Sequence, residues 1–452
     1  MSILRLLILL TALSMLHGYG FAQGVKLLDH LPESTARSAS VERTLQSVRK
    51  RQHLTDTKLT KLNSTAFDSD WIYILLPDRR EIQINRTFGS SKSKRDFTWI
   101  GEVRKGGGEA IFTVTDGVLI GNIRLPATTY TIEPLGEDLY LLSRVVREMI
   151  PPPDPASGPA RESKEQSSVV VLPKRIASVA AAAANSPVVR VLIAYTQASS
   201  DYFNGATATA VANQALASLN QAFANSGVSI QAELAGTVSV AFTETGNFLN
   251  DLGSLRVNPT LVATRNGAAA DIVITLFGRL TTGDNLCGLA YINPSSEYSY
   301  GIVVAQWLNA AGDCFAHEVG HIFGADHNTA NATSSPFAYG HGYQYTPTSH
   351  PDAIQCFRTI MAYDFSCPVG SIFTPNNFSN PSVNIQYYNL GTGVPTFTVP
   401  SGNAVYANNA RVLNETAATV AAFRGSPSTP GSPGTPQSGA AMSVVTQFIL
   451  SE

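Results

Sequence analysis

One stretch constrains this chain more than any other, an eleven-residue run with three histidines and one glutamate, His317-Glu318-Val319-Gly320-His321-Ile322-Phe323-Gly324-Ala325-Asp326-His327. On an α-helix, residues four apart share a face, so His317 and His321 can bind one metal ion together. Glu318 projects about a quarter-turn away, where it can reach water at the metal but is poorly placed as a ligand. Gly324 tolerates the positive φ that ends a helix in a sharp turn, after which His327 returns as a third ligand. Three protein ligands leave one tetrahedral position of Zn²⁺ open, which is typical of a catalytic site.

A plainer interpretation is an ordinary helix face, because H-E-x-x-H also occurs there by chance. The glycine and the third histidine at fixed offsets favour the metal site. The apolar run Ile302-Val303-Val304-Ala305 predicts a strand, and residues 310–316 predict the entry into the helix.

Composition favours a protein of several domains that does not bind nucleic acid. A length of 452 residues with 44% hydrophobic content predicts two or three domains with sizeable cores. The net charge of −2 does not indicate a protein that binds nucleic acid. Residues 1–185 contain 24 Lys and Arg against 19 Asp and Glu, whereas residues 186–452 contain 7 against 14. Opposite charges predict that the two parts dock, although either can simply be a solvated surface.

The N-terminus predicts export. Arg5 is followed by the apolar run 6–16 and by small residues up to Ala22, so residues 1–22 are interpreted as a signal peptide of a secreted protein. That run is short for a membrane span and no later segment is better, so no membrane association is expected.

The four cysteines, all in the second half, are expected to form disulfides in an oxidising compartment. Three pairings are possible for four cysteines. Spacing favours Cys356–Cys367 and Cys287–Cys314. A thiolate zinc site is the rival interpretation, which the three histidines disfavour.

The sequence predicts a small antiparallel β domain, a linker and an α/β domain. Residues 23–150 form the first unit, with helical composition from about Ser40 to Leu62 and short strands between turns from Trp71 to about Arg147. The segment 151–187 reads as a linker, with Lys174-Arg175 and an alanine run.

The second domain, 188–424, is expected to have a twisted mixed sheet and an active-site helix. The apolar run 188–195 suits a central strand, a helix is expected over 204–226, and strands are expected near 229–241 and 271–277. Leu289, Ala290 and Tyr291 read as a short edge strand, which can bind an extended peptide substrate. The Pro/Gly/Ser-rich tail, 425–452, reads as flexible.

Together with the zinc motif, Arg358-Thr359-Ile360-Met361-Ala362-Tyr363 resembles the Met-turn of the metzincin metalloproteases. From about residue 188 to 424 the chain resembles secreted bacterial metzincins of the peptidyl-Asp metalloendopeptidase kind, near the reprolysin-like group. Weaker matches are Phe378-Ser379-Asn380-Pro381 and the ending 409–424. Asn328 departs from the Asp that reprolysins usually have after the third histidine, which argues against a close snake-venom relative.

The resemblance implies a zinc endopeptidase with ligands His317, His321 and His327, Glu318 as general base and Met361 beneath the metal. Tyr363 is placed like the tyrosine with which astacins and serralysins hydrogen-bond the tetrahedral intermediate; simple packing is the alternative. The β domain resembles a propeptide, which would act as an intramolecular inhibitor released by cleavage in 174–187. A monomer is expected.

The same resemblance implies cleavage next to Asp, and a buried substrate carboxylate needs a cationic partner. Arg358, on the segment that borders the substrate pocket in metzincins, is the first candidate, and Arg411 is the next. Arg358 can equally brace the Met-turn through a local salt bridge.

Three classes of function remain open at this point. The first is a secreted zinc endopeptidase acting on peptides or proteins. The second is a secreted binding or adhesion protein that keeps a metal site with little turnover. The third is a zinc hydrolase of non-peptide substrates, against which the edge strand and the propeptide argue.

Overall fold

A computed structural model of the chain describes residues 24–104, 107–126, 128–152, 169–173, 186–278, 285–308, 313–332, 335–348, 355–389 and 394–425. The predicted signal peptide, most of the predicted activation segment 174–187, Arg279 and the tail 426–452 lie outside these residues.

The N-terminal unit, defined here as residues 24–152, is built on a ten-stranded sheet. Its strands are β1 (Val25–Lys26), β2 (Leu28–His30), β3 (Leu54–Leu62), β4 (Trp71–Leu75), β5 (Glu81–Ser93), β6 (Asp96–Val103), β7 (Glu109–Thr115), β8 (Val118–Leu125), β9 (Thr128–Gly136) and β10 (Leu139–Val145). The strand order is β1-β4-β5-β6-β7-β8-β9-β10-β3-β2, and only the β1–β4 pair is parallel among these strands.

The start of this unit differs from the sequence prediction. Its sheet already begins at Val25, and the segment 40–62 with helical composition forms a helix only in its first half and a strand in its second. Helix α1 spans Ala39–Arg49, is capped by the Ser38 hydroxyl and buries Val41, Leu45 and Val48. Residues Leu54–Leu62 form a strand instead. Threonines at 55, 57 and 60 favour extended backbone, and Leu59 is buried under the sheet.

The catalytic unit, residues 186–425, has a five-stranded mixed sheet in the order β13-β12-β14-β16-β15. The strands are β12 (Val188–Tyr195), β13 (Gln231–Ser239), β14 (Ile272–Phe277), β15 (Gly288–Ala290) and β16 (Tyr300–Val304). Strands β13, β12, β14 and β16 are parallel, and β15 joins antiparallel at the edge. Residues 189 and 191–194 of β12 are buried, which agrees with the nearly continuous apolar run of a central strand.

Helices flank this sheet and carry the zinc motif. They are α2 (Gln197–Ser200), α3 (Ala208–Asn225), α4 (Phe248–Arg256), α5 (Pro259–Gly267), α6 (Asp313–Ile322) and α7 (Asn409–Val420). The predicted α/β class of this unit and its edge strand are confirmed. None of the described helices combines the length and apolarity needed to cross a membrane.

Two small three-stranded sheets are also present, and all of their strands except β11 (Val169–Pro173) belong to the catalytic unit. One contains β17 (Gln344–Tyr345), β18 (Gln355–Arg358) and β19 (Ser371–Phe373), and the other contains β11 (Val169–Pro173), β20 (Asn384–Asn389) and β21 (Val394–Pro400). Strand β11 comes from the segment predicted to be a linker, 151–187, and pairs antiparallel with β20. The disulfides Cys287–Cys314 and Cys356–Cys367 are both formed, so the pairing favoured by spacing is confirmed.

Candidate active site

The three histidines of the zinc motif converge on one point. His317 and His321 lie on α6, and His327 returns after the turn at Gly324, whose φ is +95°. The Nε2 atom of His327 lies 3.0 Å from Nε2 of His321 and 3.2 Å from Nε2 of His317. All three side chains are buried. This is the arrangement of three imidazole nitrogens around a single ion.

The opposite nitrogens fix the orientation of two of these rings. His317 Nδ1 donates to the Ile360 carbonyl at 2.9 Å, and His321 Nδ1 donates to the Ala325 carbonyl at 2.8 Å. A proton on Nδ1 leaves the lone pair on Nε2, the atom that faces the other histidines. The donor set therefore fits a borderline-soft cation such as Zn²⁺ without any rearrangement.

His327 is held by its neighbours in a different way. Its main-chain N–H donates to Asp326 Oδ1 at 2.7 Å, and its Nδ1 lies 3.6 Å from the same oxygen. His341 Nδ1 donates to the His327 carbonyl at 2.9 Å. Asp326 and His341 were not singled out in the sequence. Asp326 could have been predicted from its position next to the ligand His327. His341 could not, because it lies 14 residues further along the chain and only the fold places it beside His327.

Glu318 is buried on α6 and packs against the edge strand. A methyl group added at Gly288 would lie 2.7 Å from both Cγ and Oε1 of Glu318, so this strand position accommodates the carboxylate only because it lacks a side chain. The disulfide Cys287–Cys314 joins the residue before Gly288 to α6. Strand and helix are thus fixed relative to each other where the predicted base lies.

Met361 lies beneath α6, at the place that the Met-turn resemblance implies. It is fully buried, and a methyl group added at Gly320 would lie 2.7 Å from its sulfur. The main chain turns here through the hydrogen bond from Ala362 N to the Thr359 carbonyl. Gly320, between the two helical ligands, lets the helix and this turn approach closely.

The Tyr363 ring packs on His327, with ring centroids 4.4 Å apart. Its main-chain N–H donates to Asn328 Oδ1 at 3.1 Å, so the residue that departs from the reprolysin pattern ties the third ligand to the Met-turn. Tyr363 is 6% exposed.

Arg358 is placed below the same turn. Its guanidinium lies 2.5 Å from Asp364 Oδ1 and donates to the Ala362 carbonyl at 2.8 Å. Partial desolvation of the Asp364 carboxylate opposes its ionisation, but the guanidiniums of Arg358 and Arg147 outweigh this effect and lower the pKa of Asp364 to about 2. In this structure Arg358 makes the local salt bridge that was the alternative to substrate binding.

Three of the other candidate substrate residues lie on or beside the outermost strand, and Arg411 lies on α7. Leu289 and Ala290 are in β15, opposite Ile302 and Gly301 of β16. Tyr291 follows the strand and packs on Tyr298, with ring centroids 5.1 Å apart. Arg411, the second candidate cation, pairs with Glu415 at 2.7 Å on the exposed face of α7.

Comparison with known proteins agrees with this geometry. Residues 185–379 match the model of metallopeptidase family M12. A peptidyl-Asp metalloendopeptidase from Stenotrophomonas maltophilia is 35% identical over 70% of this chain and 71% of its own length. One from Xanthomonas campestris pv. campestris is 30% identical over 87% of this chain and 92% of its own length. The chain belongs to metallopeptidase family M12.

As an M12 peptidase, the chain is a metalloendopeptidase, and the predictions of an enzyme and of a metalloprotease family are confirmed. The converging Nε2 atoms are a group that could hold the metal ion that the family implies. A second group, Cys287, Cys314 and Glu318, also brings potential ligand atoms within 4.8 Å of one another. Its two sulfurs form a disulfide and therefore cannot act as thiolate ligands.

Proposed function

We propose that this metalloendopeptidase is a secreted zinc enzyme that is synthesised with an inhibitory N-terminal unit and cleaves peptide bonds next to Asp. The zinc assignment depends on the convergence of the three histidine Nε2 atoms, because Nε2 of His327 lies 3.0 Å from that of His321 and 3.2 Å from that of His317. The Nδ1 atoms of His317 and His321 are hydrogen-bonded to main-chain carbonyl groups. His317, His321 and His327 would hold the ion.

The residues around the ion divide the work of hydrolysis. A bound Zn²⁺ supplies Lewis acidity and brings the pKa of a coordinated water to about 7. Glu318 accepts the proton of the attacking water and delivers it to the leaving amine. Strand β15 binds the substrate main chain in an extended form, and Tyr363 either donates a hydrogen bond to the developing oxyanion or supports His327 by packing.

Replacing Glu318 with Gln tests this assignment, because the three nitrogen ligands stay and only the base is lost. We expect one bound zinc per chain with hydrolysis of casein reduced by about 100-fold or more. The matched control is Glu297→Gln, whose carboxylate is 66% exposed and pairs with Arg256. Normal turnover by Glu318→Gln at full zinc content would disprove the role of Glu318.

Export and latency are parts of the same proposal. The signal-like segment 1–22 supports export, and the position of a β unit ahead of the catalytic unit supports a propeptide. Residues 1–286 contain no cysteine, so a cysteine switch cannot cause latency. Full activity on a large protein substrate with residues 174–187 uncut would contradict the inhibitory role.

The preference for Asp is proposed from what the two relatives are called, peptidyl-Asp metalloendopeptidases. Of the seven arginines in 186–452, all but Arg279 lie in described segments, and each of those six already donates to partners within the chain. Asp364, however, is 65% exposed beside Arg358. In this proposal an acidic substrate side chain takes the place of Asp364 beside Arg358.

Two variants separate a binding role of Arg358 from a structural one in a peptide-library cleavage profile. If Arg358 binds the substrate, Asp364→Asn lowers KM for peptides with Asp, and Arg358→Met abolishes the Asp preference. If Arg358 only braces the turn, Arg358→Met keeps the preference and lowers thermal stability. The second result would remove Arg358 from the substrate site.

A further inference from the structure

Asp313, the first residue of helix α6, connects the active-site helix to the N-terminal unit. It lies four residues before His317, next to Cys314 of the disulfide, and only 10% of its side chain is exposed. A carboxylate in the first turn of a helix is stabilised by the helix dipole. In this chain the partners of that carboxylate come from outside the catalytic unit.

Two guanidiniums of the N-terminal unit bind this carboxylate, one to each oxygen. Arg124 of β8 donates to Oδ1 at 2.6 Å, and Arg147 donates to Oδ2 at 2.7 Å. Arg124 is buried and also lies 3.6 Å from Glu109, while 28% of the Arg147 side chain is exposed. Charge-assisted bonds of this kind are the strongest polar contacts available in a protein.

Separating the two units would leave these charges without their partners. Burial raises the pKa of Asp313, but Arg147, Arg124 and Arg358 outweigh that effect and hold it below its usual value. Of those three cations, only Arg358 belongs to the catalytic unit, where it is already bonded to Asp364. If the partners of Asp313 were removed by mutation while the units stayed docked, a buried charge would be left unpaired, which is strongly unfavourable.

Contacts elsewhere on the interface extend well beyond this cluster. Polar bonds join β7 to α3, including Thr113 to Gln214 at 2.8 Å and Thr115 to Asn213 at 2.9 Å. Ile111 and Ala217 share an apolar cluster. These contacts join residues 24–152 directly to 186–425, so cutting the chain between 174 and 187 breaks none of them.

The last residue of the N-terminal unit and the linker that follows it make further main-chain hydrogen bonds to the catalytic unit. The Pro152 carbonyl accepts a hydrogen bond from Cys287 N at 2.9 Å, immediately before edge strand β15. Strand β11, Val169–Pro173, pairs with β20 from Asn389 to Ile385. Since β11 precedes Lys174, a cut after that residue leaves β11 on the N-terminal fragment and still paired with the catalytic unit.

We propose that the N-terminal unit remains bound to the catalytic unit as a separate, noncovalent partner after the linker is cut, and that Asp313 with Arg124 and Arg147 is the anchor of this complex. The inference rests on the proposed role of 174–187 as the cleavage segment. Cleavage then yields a complex, and release of active enzyme requires dissociation or digestion of the N-terminal unit.

The test uses the full chain with Glu318→Gln, which prevents self-digestion, and with the recognition sequence of a specific protease in place of residues 176–185. After complete cleavage, the fragments are separated by size-exclusion chromatography in 0.15 M and 0.5 M salt, and their Kd is measured by dilution. We expect co-elution at the mass of the uncut chain in both, because buried ion pairs are little screened. The readout is association, so it is independent of whether the proposed activity is correct.

The anchor is tested by combining Arg124→Gln with Arg147→Gln, which should raise Kd by at least about thirtyfold. The control is Arg144→Gln, because Arg144 pairs with Asp56 on an exposed part of the same sheet and should leave Kd unchanged. Arg147→Gln alone and Asp313→Asn act as second variants, and the thermal unfolding of each uncut chain verifies folding. Separation of the cut, otherwise unmodified fragments, or equal Kd values for the double variant and Arg144→Gln, would overturn the proposal.

Discussion

Replacing Gly288 with Ala should reduce catalysis without removing the metal. The added methyl group would lie 2.7 Å from Glu318 Cγ and Oε1 and from the Ile302 carbonyl oxygen. The carbonyl is fixed because β16 is hydrogen-bonded to both neighbouring strands, so the Glu318 side chain has to move. Reaching an ordinary contact of 3.4 Å requires a shift of 0.7 Å, from 2.7 to 3.4 Å.

A misplacement of about 1 Å at a catalytic group lowers the rate by about 100-fold, so we expect kcat to fall between about tenfold and 100-fold. Overpacking the interior should also reduce the free energy of unfolding by about 1–3 kcal/mol. Zinc content should stay at one per chain, since no ligand is displaced. The assay is peptide hydrolysis at saturating substrate, with metal analysis of the same preparation.

The matched control is Gly301→Ala, on the adjacent strand of the same sheet. A methyl group there would lie 2.9 Å from Ile274 Cδ1 and 3.2 Å from Ala290 Cβ, and Glu318 is not among its nearest neighbours. This variant should lose stability but keep kcat within about threefold. Unchanged kcat in Gly288→Ala, or equal losses of kcat in the two variants, would refute the argument that Gly288 positions Glu318.

Two further predictions concern residues around the metal and below the Met-turn. Asp326→Ala should weaken zinc binding by about 10- to 100-fold in a competition titration with a chelator, because His327 loses the carboxylate that holds it. Asp326→Asn keeps an acceptor for the His327 N–H and should recover part of the affinity. Equal zinc affinities of the two variants would contradict this role of Asp326. Asp364 has a pKa lowered from 3.8 to about 2, so its stabilising effect is complete above about pH 4 and is lost as the pH falls through about 2. Because its side chain is 65% exposed, Asp364→Asn should cost about 1 kcal/mol or less at pH 7, as measured by denaturant unfolding. This cost should shrink as the pH falls through about 2, and an undiminished difference at about pH 1.5 would disprove this origin.

The metal site could be predicted from the sequence because its geometry is local. His317 and His321 are placed by helical periodicity, and Gly324 and His327 follow within six residues of His321. Strand β12 was equally readable, since it is mostly buried and is apolar apart from Arg190 in its first half. The edge position of β15 followed from its shortness and its flanking turns.

Features that depend on distant parts of the chain were missed. Strand β3 looked helical in composition, and it becomes a strand by pairing with β10 and β2, which are remote from it in sequence or too short to recognise. Asp313 was not singled out within the predicted helix entry 310–316, because its partners Arg124 and Arg147 lie more than 160 residues away. For Arg358 the sequence left substrate binding and a local salt bridge open, and the structure shows the salt bridge, with Asp364 six residues away.

Metal removal followed by titration tests whether His317, His321 and His327 form one catalytic zinc site. Protein stripped with a chelator should be inactive on a peptide substrate and should regain activity in proportion to added Zn²⁺, levelling off at one ion per chain. The His321→Ala variant should neither retain zinc nor recover activity. Full activity of the stripped protein, or recovery of His321→Ala at the same zinc ratio, would contradict the assignment.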